Sequence, residues 1–124
     1  MAMLESGEMY LETIYELSQS SPTVRSIDVA TEMNFSRPSV SRAMGILKKE
    51  GFIKIDEAGG IKLTTKGEKE AKRIYERHLL LTEVFINLGV SEKTAEEDAC
   101  RVEHYLSNET FAALKRHVAE YSKK

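Results

Sequence analysis

The chain has 124 residues, 41% of them hydrophobic and 31% charged, and 18 basic against 20 acidic side chains leave a net charge of −2. That length allows one compact domain or two small modules sharing a core, and the charge balance excludes a polycation, so any contact with nucleic acid must rest on a local basic patch. A single cysteine excludes an intrachain disulfide and fits a reducing compartment. With no apolar run of membrane-spanning length and no signal peptide expected, the cytoplasm is the expected location.

Residues 8–18 are predicted as an amphipathic helix whose apolar stripe is Met9, Leu11, Ile14, Tyr15 and Leu17. The turn formers from Ser18 to Pro22 end it. A short helix over 26–33 follows, with Ile27, Ala30 and Met33 expected inward, and Asn34 and Phe35 form a turn. Ser36 is a good N-cap, and Pro38 is tolerated in the first turn of a helix over 37–49. There Val40, Ala43, Met44 and Leu47 repeat at i, i+3, i+4, i+7, which marks a buried face.

Gly51 closes that helix and the period changes. Phe52 to Ile55 and Ile61 to Leu63 alternate as two short strands around a glycine-rich turn, a β-hairpin. Thr65 and Glu68 are spaced as a capping box that opens a long helix over 66–88. Its stripe is expected to be Ala71, Ile74, Tyr75, His78, Thr82, Phe85 and Leu88, with Gly89 as the stop. Ser91 caps a helix over 92–105, and Ser107 caps a last one reaching about 121, with Leu106 and Phe111 placed as a hydrophobic staple. The expected fold is mainly α: a winged helix-turn-helix DNA-binding domain over 1–65, then a helical dimerisation domain over 66–124.

In a helix-turn-helix the second helix enters the major groove by its N-terminal end. The outward positions there are Ser36, Arg37, Pro38, Ser39, Ser41 and Arg42, followed by Lys48 and Lys49. From Arg37 to Lys54 five basic residues face Glu50 alone, a local net charge of +4. Arginine reaches guanine bidentately or grips phosphate, and spacing does not choose between them. Lys54 and Lys62 on the hairpin are expected near a neighbouring phosphate or minor groove. The plain alternative for Lys48, Lys49 and Lys54 is that they solvate an exposed face.

Cys100, Glu103 and His104 stand at i, i+3, i+4, which on a helix gathers a thiolate, a carboxylate and an imidazole on one face. Met9 and Glu12 share a helical spacing near the other end, and His78 adds an imidazole on the long helix. These residues admit three readings: a metal site, a redox switch at Cys100, or a zinc hydrolase built on Cys100, Glu103 and His104. Each residue also has a plain structural reading, Met9 as core filler and Cys100 as a buried thiol.

The chain resembles the diphtheria toxin repressor family of metal-dependent transcriptional regulators along essentially its whole length. The resemblance is carried by Glu8 to Leu11 with Thr13 to Leu17, by Ser36 to Ser41, by Leu63-Thr64 with Lys66-Gly67, and by Ala99-Cys100-Arg101 with Glu103-His104. It implies a homodimer that represses from a palindromic operator, with recognition helices set about 34 Å apart. It further implies that Met9, Cys100, Glu103 and His104 match the iron-type primary site, while His78 matches a histidine of an ancillary site. Glu12 matches a glutamate of the manganese-type members, which carry carboxylates at the Met9 and Cys100 positions. The thioether and thiolate are softer donors than two carboxylates and shift preference from Mn(II) towards Fe(II), Co(II), Ni(II) or Zn(II); Fe(II) is the expected metal, with Mn(II) the alternative. Glu96 stands where iron-type members have an ancillary histidine, and Glu83 lies one residue from an ancillary glutamate position, with Thr82 in the direct place. A short form without the SH3-like third domain of iron-type members is expected.

Overall fold

The helices expected from periodicity are present. The computed structural model describes residues 5–122, in the order α1 (Glu5–Ser20), α2 (Ser26–Met33), α3 (Arg37–Lys49), β1 (Ile53–Ile55), β2 (Ile61–Leu63), α4 (Thr65–Asn87), α5 (Glu92–Val102) and α6 (Asn108–Ser122). These residues divide into two compact units, one ending at Arg73 and the other starting at Ile74.

The first unit closes around Leu11 and Ile14 of α1, Val29 of α2, Val40, Met44 and Leu47 of α3, Ile53 and Ile61 of the hairpin, and Ala71 of α4. On α2 Ala30 is buried as expected, but its neighbour inward is Val29, fully buried, whereas Ile27 is 43% exposed, contrary to expectation. Eight residues make barely two turns, too few for the period alone to place the stripe. The α2 N-terminus is held by the Asp28 carboxylate, which accepts from the Arg25 backbone N–H at 2.9 Å. Asn34 then adopts the left-handed conformation (φ 59°) that ends the helix. Ser36 caps α3 as expected, its Oγ accepting from the Ser39 N–H at 3.3 Å.

The strands pair antiparallel in the register Ile53↔Leu63, Lys54↔Lys62, Ile55↔Ile61. The Asp56 carboxylate organises the turn by accepting from the N–H groups of Ala58 (2.9 Å) and Gly60 (2.8 Å). Val24 adds an unexpected antiparallel bridge to Ile61, whose N–H donates to the Val24 carbonyl at 2.7 Å. The α4 cap is Thr64 and not Thr65. Its Oγ1 accepts from the Gly67 N–H at 3.0 Å while donating to the Gly51 carbonyl at 2.6 Å, a double duty Thr65 does not perform. Lys66 donates to the Glu50 carbonyl at 2.9 Å and lies over the Phe52 ring.

In the second unit Ile74 and Leu81 of α4 and Ala95 and Ala99 of α5 are buried. Leu88, expected on the stripe, is 76% exposed, because α4 has ended at Asn87 and Gly89 (φ +102°) turns the chain away. Helix α5 stops at Val102, short of the expected 105, so Glu103 is its C-cap and His104 lies in the following turn. Ser107 caps α6 as expected, accepting from the Thr110 N–H at 3.0 Å. Among the described residues no helix is long and apolar enough to cross a membrane.

Candidate metal centre and DNA-reading helix

Met9 and Glu12 lie one turn apart on α1, Met9 half-buried and Glu12 buried. The neighbouring buried Glu8 is tied to Arg73 at 2.9 Å, and Arg73 also pairs with Glu70. Burial works to lower the Arg73 pKa, but hydrogen bonds and charge from Glu70 and Glu8 outweigh it and hold the guanidinium above its ordinary value.

In the second unit Glu103 lies beside two imidazoles. Cys100, a half-buried free thiol, stands in the last turn of α5. Glu103 is only 1% exposed. His78 Nδ1 lies 2.9 Å from Glu103 Oε2, and His104 Nε2 lies 3.3 Å from Glu103 Oε1. His78 thus keeps company with Glu103, while Glu83 and Glu96 are both exposed.

Glu103 Oε1 is buried and accepts no hydrogen bond among the described residues. A buried carboxylate oxygen is costly unless a cation or donor satisfies it. Two donor atoms bound to one ion at about 2.1 Å and a tetrahedral angle stand about 3.4 Å apart, close to the 3.3 Å between Glu103 Oε1 and His104 Nε2. The buried carboxylate and imidazole of Glu103 and His104, at that separation, fit a divalent transition metal.

Arg77 escaped the sequence reading. It is 4% exposed, and its Nη1 donates to the carbonyls of Glu103 (3.1 Å) and Leu106 (2.6 Å). Periodicity carried a signal, since Arg77 falls on the Ile74–Leu81 line, where a charge persists only if paired.

On α3 the side chains of Ser36, Arg37, Pro38, Ser39, Ser41, Arg42, Lys48 and Lys49 are all exposed, opposite the buried Val40, Met44 and Leu47. Lys54 and Lys62 are exposed and directly cross-strand, a like-charge pair that is unfavourable without an anion beside it.

Two family models match consecutive stretches: the N-terminal DNA binding domain of iron dependent repressors over residues 2–61, and their metal binding and dimerisation domain over residues 64–123. An HTH-type transcriptional regulator of Methanocaldococcus jannaschii is 33% identical over 124 residues, which span 98% of this chain and 99% of that one. The transcriptional regulator MntR of Escherichia coli is 34% identical over 106 residues, covering 86% of this chain and 68% of its own. The solved structure of the manganese regulator SloR superposes with a TM-score of 0.82 at 30% identity, over 91% of this chain and 53% of that one. This chain therefore spans about half the length of that solved structure. All of these relatives are regulators and none is an enzyme, which sets aside the hydrolase reading of Cys100, Glu103 and His104. A winged helix-turn-helix, a buried carboxylate–imidazole pair and matches along nearly the whole length lead to one conclusion: the chain belongs to the iron-dependent repressor family of metal-dependent transcriptional regulators.

Proposed function

We propose that this protein is an Fe(II)-responsive repressor that binds a palindromic operator as a homodimer. The observation that carries the metal dependence is the buried Glu103 carboxylate oxygen 3.3 Å from His104 Nε2. Met9, Glu12, His78, Cys100, Glu103 and His104 are the proposed ligands, drawn from both the DNA-binding and the dimerisation segments. A bound divalent cation favours the DNA-competent state, and it shifts the population only by its difference in affinity between states. The iron preference rests on the thioether of Met9 and the thiol of Cys100. Mn(II) is the second reading, favoured by the buried Glu12 carboxylate and by the likeness to a manganese regulator.

The test is anaerobic enrichment of duplexes from a random pool with Fe(II), with Mn(II) and with chelator. A palindromic sequence should emerge only with metal, and Cys100→Ser should weaken the Fe(II) response more than the Mn(II) response. Equal enrichment under chelator defeats the proposal. Met9→Ala separates it from a redox switch at Cys100, which has no use for Met9.

The exposed end of α3 provides the DNA contacts, with Ser36, Arg37, Pro38, Ser39, Ser41 and Arg42 at the groove and Lys48 and Lys49 toward the backbone. If Arg42 grips a phosphate, Arg42→Ala should lower affinity evenly across sequences and reduce the slope of log affinity against log salt by about 1. If it reads guanine, one operator position should lose about 1–3 kcal/mol of discrimination instead. Binding titrations at several salt concentrations separate these, and an unchanged slope and sequence preference would remove Arg42 from the interface.

A further inference from the structure

Consecutive residues of α4 hold one residue of the α5–α6 turn at two places. The His78 imidazole meets the Glu103 carboxylate at 2.9 Å. The guanidinium of Arg77 donates through Nη1 to the Glu103 carbonyl (3.1 Å) and the Leu106 carbonyl (2.6 Å), and through Nη2 to Asn108 Oδ1 (2.5 Å). The last carbonyls of a helix lack intrahelical donors and carry partial negative charge, so a cation is well placed there. Only arginine offers several donors in a rigid planar fork. Packed against the Phe111 ring, with Cζ 5.2 Å from its centroid, this side chain has little room to move. Helix α5 ends at Val102, and the carbonyl of its C-cap Glu103 accepts from Arg77.

We propose that Arg77 is a positioning residue of the metal centre, an inference that rests on the ligand assignment made above. The fork holds the backbone of the turn at Glu103 and at Leu106, and thereby sets Glu103 Oε1 and His104 Nε2 together before a cation arrives. Without it the turn must be ordered on binding, and that ordering is subtracted from the affinity. Outer supports of metal ligands typically matter by about 10–100-fold in affinity.

The experiment is an anaerobic titration of the full chain with Co(II), read by ligand-field absorption, with amide hydrogen exchange on the metal-free proteins. Arg77→Lys keeps the charge and loses the fork. It should bind Co(II) about 10–100-fold more weakly, with faster exchange confined to residues 103–106. Asn108→Ala keeps the guanidinium but removes one acceptor, and should weaken binding by about threefold. A folded Arg77→Lys with wild-type Co(II) affinity overturns the proposal, and so does a uniform rise in exchange with affinity unchanged. Should Arg77→Lys fail to fold, Asn108→Ala decides, and unchanged affinity there overturns it. A wild-type chain that takes up no Co(II) defeats the ligand assignment and this inference with it, an outcome readily told apart from a failure of Arg77 alone.

Discussion

Gly67→Ala should destabilise the first unit by about 3 kcal/mol or more, whereas Gly45→Ala should leave stability unchanged or raise it by up to about 1 kcal/mol. The same methyl group is added in both, and both glycines are helical. At Gly67 a Cβ would overlap the carbonyl oxygen of Phe52 and stand 2.9 Å from its carbon. That obstacle is backbone, so no rotamer change relieves it. The backbone is also fixed by its neighbours: the Phe52 carbonyl accepts from the Thr64 N–H at 3.0 Å, and Thr64 Oγ1 holds the Gly51 carbonyl. At Gly45, in contrast, nothing lies within 4 Å of the added carbon, and alanine is the better helix former by about 1 kcal/mol. Thermal melts of the two variants check this, with a drop of roughly 10 °C expected for Gly67→Ala and a small rise for Gly45→Ala. Equal midpoints would mean that α4 does not dock on the Phe52 backbone as described.

The fold was legible wherever one local pattern ran long enough. The i, i+3, i+4, i+7 repeat of Val40, Ala43, Met44 and Leu47 located α3, and Ser36 before Pro38 located its start. Legibility failed where tertiary partners decide. Ile27 and Val29 are both apolar on a helix of two turns, and only the packing of α2 selects Val29. Thr64 and Thr65 are both plausible caps, but the Gly51 carbonyl, distant in sequence, engages Thr64. The Val24–Ile61 bridge leaves no trace in local periodicity, because it joins residues 37 apart.

For the candidate site, residue type was more readable than arrangement. Cys100, Glu103 and His104 stand out as scarce donor types at close spacing, and the structure joins Glu103 to both His104 and His78. Cys100 and Glu103 keep the helical spacing, since the Glu103 N–H still donates to the Ala99 carbonyl, whereas His104 lies in the turn after α5. Arg77, which donates to the Glu103 and Leu106 carbonyls of that turn, is easily overlooked between Glu76 and His78. The pairing of buried Glu8 with Arg73 was hidden in the same way, because 65 residues separate its members.

Glu103→Gln should abolish most of the metal response while leaving the metal-free protein as stable as wild type or more so. The carboxylate is 1% exposed, and burying a charge opposes folding by several kcal/mol unless its partners compensate. Glutamine keeps the shape and retains an oxygen to meet His78, but removes the charge. A divalent cation then loses its buried anionic donor, and an affinity loss of about 100-fold or more is expected, at least that of losing an outer support. Metal at 100 times the wild-type Kd should stabilise the wild type by about 2.7 kcal/mol, against about 0.4 kcal/mol for a variant weakened 100-fold. Melts with and without Co(II) under anaerobic conditions read both quantities from one pair of proteins. A metal-dependent shift equal to wild type would exclude Glu103 as a ligand, and unfolding of the metal-free variant would make its carboxylate a structural element. The opposite signs of the two effects are what separate a residue kept for binding from one kept for folding: a buried charge that the apo fold does without is retained for what it binds.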